Sequence, residues 1–140
     1  MGTTIRTELS KNNKWYIPKQ RYLELKHWCL QYQWWKEEVS NYYWYSRTEL
    51  TQINNIYPGG ISPVELTYER MKEFEYKIDL FETCVKATTD DPEIQNALWL
   101  GLKEGRSYKA MYALGIIHCS ERMYYDNYHK FFWILDKKHF

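Results

Sequence analysis

Val64, Met71, Ile78 and Val85 stand seven residues apart, and Phe74 and Phe81 repeat that interval. A seven-residue apolar repeat holds its side chains on one stripe of a helix, which no strand can match. The middle of the chain is therefore committed to a long amphipathic helix with a coiled-coil-like seam. Ser62-Pro63-Val64-Glu65 supplies its start, as a capping box with Pro at the first helical position. A second stripe runs through Leu25, Trp28, Tyr32, Trp35, Val39 and Tyr42 in steps of three and four. It predicts a first helix from near Pro18 into the low forties. Gln33 or Trp34 is a place for a kink, though no Gly or Pro requires one. The seam residues Val64, Met71, Phe74, Ile78, Phe81 and Val85 can close on the first helix as an antiparallel hairpin, or on a second copy as a dimer.

Gly and Pro are confined to a few breaks. Pro58-Gly59-Gly60 lies in the connection Ser46 to Ile61, whose 16 residues are many for a simple hairpin. Asp90-Asp91-Pro92 pairs an N-cap Asp with Pro and predicts a helix to about Lys103, with Ile94, Leu98 and Leu102 inward and Gly105 ending it. Ser107 caps a short helix, Tyr108 to Leu114, closed by Gly115. A last helix follows from about Ser120 to Lys138, its inner face Tyr124, Tyr128, Phe131 and Leu135. The expected fold is all-α: a long helical, coiled-coil-like hairpin plus a C-terminal three-helix unit containing a helix-turn-helix. Its parts are a polar N-terminal arm (residues 1–17), the hairpin with a dimerisation role (18–89) and the helix-turn-helix unit (90–140).

Composition closes off several classes. Net charge is +1, so bulk charge marks neither a nucleic-acid binder nor a membrane-surface protein. No apolar run approaches a membrane span of roughly 18 residues, and no membrane partner is expected. The polar start, Met1 to Lys14, is not that of a signal peptide. Cys29, Cys84 and Cys119 are odd in number and far apart, which fits a reducing cytoplasm rather than a disulfide framework.

Catalytic and metal chemistry find no support. His27-x-Cys29 and His118-Cys119 lack the spacing of a zinc site. Cys29 beside Trp28 reads as a small core residue rather than a nucleophile. Glu69, Glu73 and Glu75 lie on a charged helix, where Glu73 meets Lys77 as an ordinary i,i+4 pair. Gly59-Gly60 lacks the Lys-Ser/Thr of a phosphate loop. No cofactor, metal or enzymatic activity is expected. Trp34, Trp35, Tyr42, Tyr43, Trp44 and Tyr45 are too many for one stripe; they form either a second small core or an exposed Tyr/Trp interface patch.

The short helix, glycine turn and longer helix of the C-terminal third are the elements of a helix-turn-helix. Residues 1–45 carry seven Lys/Arg and four Asp/Glu (+3), residues 46–100 five and ten (−5), and residues 101–140 seven and four (+3). The candidate DNA-binding unit is thus mildly basic. Phosphate contacts would draw on Lys103, Arg106, Lys109, Arg122, Lys130, Lys137 and Lys138. Ser107, Tyr108 and Lys109 would approach phosphate. Ser120, Glu121, Arg122, Tyr125 and Asp126 would lie at the groove, with His129 and Lys130 on flanking phosphates.

Two stretches carry a resemblance: Lys14-Trp15-Tyr16-Ile17-Pro18 with Arg21 to Cys29, and Ile117-His118-Cys119-Ser120 with Tyr124 to Asp136. Together they resemble small Firmicutes prophage proteins related to the ArpU/RinA-type transcriptional regulators, which have a sigma-factor region 4-like helix-turn-helix. The resemblance implies an all-helical fold, double-stranded DNA binding by the C-terminal motif and a role in phage gene expression; with the seam and the cysteine usage, the expectation is a phage-encoded transcription regulator that acts as a homodimer in a bacterial host's cytoplasm. Such proteins carry a Tyr-x-Arg-x-Arg-Arg-like run where this chain has Asn127, His129 and Lys130. That departure, with the near-neutral charge and the aromatic cluster, motivates an alternative: a phage anti-defence, anti-CRISPR-like protein that binds and blocks a host protein.

Overall fold

The computed structural model describes residues 11–48 and 63–139, with the side chains of residues 11–44 and 68–138. Six helices and no strand occur among them: α1 (Lys19–Cys29), α2 (Tyr32–Thr48), α3 (Pro63–Thr88), α4 (Pro92–Glu104), α5 (Tyr108–Ala113) and α6 (Glu121–His139). The all-α expectation holds. The Ser62 cap, most of the 46–61 connection, residues 1–10 of the arm and the side chains of Tyr45 and Val64 lie outside the described residues.

The expected first helix is two helices. After Cys29 the bonding shortens, with Gln31 N–H donating to the Trp28 carbonyl three residues back at 3.2 Å. The switch from four-residue to three-residue bonding ends α1, so the break falls at Leu30-Gln31 rather than at Gln33 or Trp34. Elsewhere the local signals act as read. Asp91 caps α4, its carboxylate accepting from Glu93 N–H at 3.0 Å. Gly105 ends α4 with φ 69°, and Gly115 follows α5 with φ 73°, both in the left-handed region that suits glycine.

The chain divides into two compact units. One joins residues up to Gln31 with those from Leu80 onward; the other is Tyr32–Asp79. The divisions fall at 31/32 and 79/80, not at 17/18 and 89/90, because α1 and the end of α3 share a core with the C-terminal helices. In that unit α4 lies against α1, α5 and α6, and α1 also lies against α6. Phe81 of α3 stacks on Trp28 of α1 (6.4 Å) and meets Phe131 of α6 edge-on (5.7 Å). Tyr22 of α1 packs on Phe132 (5.0 Å) and shares a 2.7 Å hydroxyl–hydroxyl hydrogen bond with Tyr128. The arm is not wholly polar either: Ile17 is buried, and Trp15 sits edge-on to Trp133 at 5.2 Å. Cys29 and Cys84 are buried as free thiols.

The second unit is an antiparallel pair made of α2 and the first part of α3. Trp34 meets Phe74 (5.0 Å), Tyr42 meets Tyr68 (6.0 Å), and the Tyr43 hydroxyl donates to Glu75 Oε1 at 2.7 Å. Met71 and Phe74 are buried and Ile78 is half-buried. In the other unit Phe81 and Val85 of the same seam are buried. Met71, Phe74, Phe81 and Val85 are thus covered within the chain and Ile78 in part, as a seam closed inside the molecule requires. The Glu73–Lys77 pair forms at 3.3 Å. The aromatic cluster divides: Trp35 is buried, whereas Trp34, Tyr43 and Trp44 are exposed.

Candidate nucleic-acid interface

The C-terminal unit is built from the caps inward. Ser107 Oγ accepts from Ala110 N–H (3.2 Å) and starts α5. Gly115 N–H donates to the Tyr112 carbonyl (3.1 Å) and Ile116 N–H to the Met111 carbonyl (2.9 Å). This paired closure satisfies the end of α5 and turns the chain toward buried Ile117. Ser120 Oγ then accepts from Met123 N–H (3.1 Å) and opens α6. The connection, residues 114–120, is longer than the turn of about 3–4 residues usual in helix-turn-helix units.

Two further bonds hold that connection. The Tyr108 hydroxyl donates to the Cys119 carbonyl at 2.6 Å. Glu93 Oε1, in the first turn of α4, accepts from His118 N–H (2.6 Å) and lies 2.8 Å from His118 Nδ1. The backbone just ahead of α6 is therefore tied to both α4 and α5. On α6 the expected inner face is correct: Tyr124, Tyr128, Phe131 and Leu135 are all buried. Burial pushes the Tyr124 and Tyr128 phenols well above the usual range.

The expected contact residues separate into two sets. Ser120, Arg122 and Asp126 are exposed on the first turns of α6, with Glu121 and Tyr125 half-exposed beside them. Lys109 is exposed on α5. Tyr108 and His129 are not among them; both are buried. Tyr108 stacks on Tyr112 and Tyr124, and His129 packs against Tyr125 and Tyr128. They are corrected from ligand contacts to core residues. Ser107 and Ser120 are already engaged as caps.

The cations are fewer than the sequence count. Lys130 lies over Trp15 (5.6 Å), Lys137 over Trp133 (4.1 Å) and Lys103 over Trp99 (5.5 Å), while Arg106 pairs with Glu104 at 2.6 Å. Lys109 and Arg122 hold no such partner among the described residues. Carboxylates also border the connection ahead of α6. The Cys119 thiol is pushed up by burial first, then by Glu93 and Asp91.

Three large apolar side chains of this segment face outward. Tyr112, Leu114 and Met123 are exposed, Leu114 at 65% and Met123 at 51%. Met123 was legible, since it lies off the Tyr124–Tyr128 stripe; the Glu93–His118 contact spans 25 residues and leaves no local signal. Among the described residues no group of three His, Cys, Asp or Glu is placed to hold a metal ion, and no helix is long and apolar enough to cross a membrane. No protein-family model, curated protein or solved structure matches the chain.

Proposed function

We propose that the chain is a phage-type transcriptional regulator that binds double-stranded DNA with an extended-turn helix-turn-helix, α5 and α6, and places the first turns of α6 in the major groove. The observation that carries this reading is the outward presentation of Ser120, Arg122, Met123 and Asp126 on a helix whose opposite face is anchored by Tyr124 and Tyr128. A reading helix needs both properties: a free leading turn and a fixed base. Arg122 and Lys109 would supply phosphate or base-edge contacts, and Tyr125, Glu121 and Asp126 would sit at the groove.

The test is fluorescence anisotropy on duplex DNA of mixed sequence across a salt series. Binding should weaken steeply as salt rises. The double variant Lys109→Ala/Arg122→Ala should reduce the slope of log K against log salt by about two, one for each lost phosphate contact. Absence of duplex binding at low salt, or an unchanged slope, would overturn the proposal.

A second reading is favoured by one observation: exposed Tyr112, Leu114 and Met123 lie on the same helix–connection–helix segment. Apolar side chains there suit an anti-defence protein that blocks a host protein. Duplex binding separates the two, because a protein-only blocker shows none at any salt concentration.

A further inference from the structure

Two stretches far apart in sequence meet at a pair of indoles. Trp15 of the arm and Trp133 of α6 lie edge-on at 5.2 Å, and both are half-exposed. Three ammonium groups surround them. Lys14 Nζ is 4.9 Å and Lys130 Nζ 5.6 Å from the centre of the Trp15 ring, and Lys137 Nζ is 4.1 Å from that of Trp133. None of the three is paired with a carboxylate among the described residues. Asp136, next to Lys137 in sequence, is bonded to Arg21 at 2.6 Å. Residues 11–23 hold Lys11, Lys14, Lys19 and Arg21 and no Asp or Glu.

A ring face and a carboxylate hold a cation in different ways. Glu104 offsets the charge of Arg106, whereas an indole attracts an ammonium through its quadrupole and leaves the charge in place. Lys14, Lys130 and Lys137 are therefore fixed without being neutralised. Lys14 and Lys130 share one ring, and an anion from outside relieves their mutual repulsion. The course of α6 indicates which anion. Arg122, Asp126, Lys130, Trp133 and Lys137 follow in steps of four, four, three and four, which keeps them on one stripe. Asp126 is the one carboxylate of that stripe, on the turn between Arg122 and Lys130. From Arg122 to Lys137 the stripe runs about 22 Å at the usual helical rise. Single positive charges spaced along a rigid rod complement the spaced single negative charges of a phosphodiester backbone.

We propose that Lys14, Lys130 and Lys137, held by Trp15 and Trp133, form a second nucleic-acid contact, binding backbone phosphates beyond the groove that the first turns of α6 enter. The inference rests on the duplex-binding reading above and extends that contact to the far end of α6 and the arm.

The test is fluorescence anisotropy of the full chain on the same mixed-sequence duplex across the salt series. Lys14→Ala, Lys130→Ala and Lys137→Ala should each reduce the slope of log K against log salt by about one, and the triple variant by about three. The charge-keeping variant Lys14→Arg/Lys130→Arg/Lys137→Arg should retain the original slope. A triple alanine variant with an unchanged slope, while Lys109→Ala/Arg122→Ala still lowers it, would overturn this contact and leave the groove reading standing. No duplex binding by the unmodified chain would overturn both. An arginine variant that loses as much slope as the alanine variant would show that packing rather than charge is at work, and would overturn the contact too. Phosphatidylserine vesicles probe the competing surface. Vesicle binding lost in the triple alanine variant, with the duplex slope unchanged, would assign the cluster to lipid headgroups and overturn the proposal.

Discussion

Gly101 occupies a tight gap between α4 and its neighbours. A Cβ there would collide with the Tyr124 hydroxyl and lie 3.3 Å from the Arg106 carbonyl and Met111 Cε. That hydroxyl is buried and finds no hydrogen-bond partner among the described residues. Gly101→Ala should therefore destabilise, by about 1–3 kcal/mol from overpacking offset by about 1 kcal/mol of helix propensity. Tyr124→Phe removes an unsatisfied polar group and should be neutral or stabilising. The double variant should be at least as stable as the original chain, because the hydroxyl causes the collision. Urea midpoints of the three variants check this, and additive effects would refute it. No sequence pattern announces such a pair: Gly101 interrupts an ordinary helix, and Tyr124 reads only as one member of an apolar stripe.

At the scale of elements, the legible features were those with a local cause. Asp91 before Pro92, Ser107, Gly105 and Gly115 each act through bonds to residues a few positions away, and each marks a helix end where expected. Asp91→Ala should cost about 1 kcal/mol in thermal or urea unfolding, and Asp91→Asn should retain most of it. The α1–α2 break was not legible, because shortened backbone bonds make it and no residue type signals it. The extent of burial on α6 was also underestimated. Phe132 and His129 lie beside the expected stripe yet are buried. Tyr22 of α1 packs on Phe132, and Tyr125, one turn earlier on α6 itself, lies against His129, so burial on α6 extends past the expected stripe. Tyr108 was misassigned for a related reason: its hydroxyl finds a carbonyl across the connection, a partner that a local pattern cannot reveal.

Over the whole molecule, the buried acids set the response to pH. Burial raises the Cys84 thiol from 9.0 to about 11, and burial, followed by nearby Cys84, holds the Cys29 thiol well above its usual range. The Tyr124 and Tyr128 phenols move the same way. A folded-state pKa above the unfolded value contributes stability that is complete below the unfolded value and lost as pH rises toward the folded one. Between pH 9 and about 11 the unfolded chain releases the Cys84 proton while the folded chain keeps it. Urea midpoints measured from pH 7 to 11 should thus fall above pH 9 and not rise; a flat profile would show that these groups are less sealed than described.

The tie between Glu93 and His118 has an evolutionary consequence. The posture of the leading turn of α6 depends on a carboxylate in a different helix, away from the outward-facing side chains. A lineage could re-aim that turn by changing position 93, leaving every outward side chain of α6 in place. Comparisons confined to the exposed residues of α6 would overlook a substitution that re-aims all of them at once.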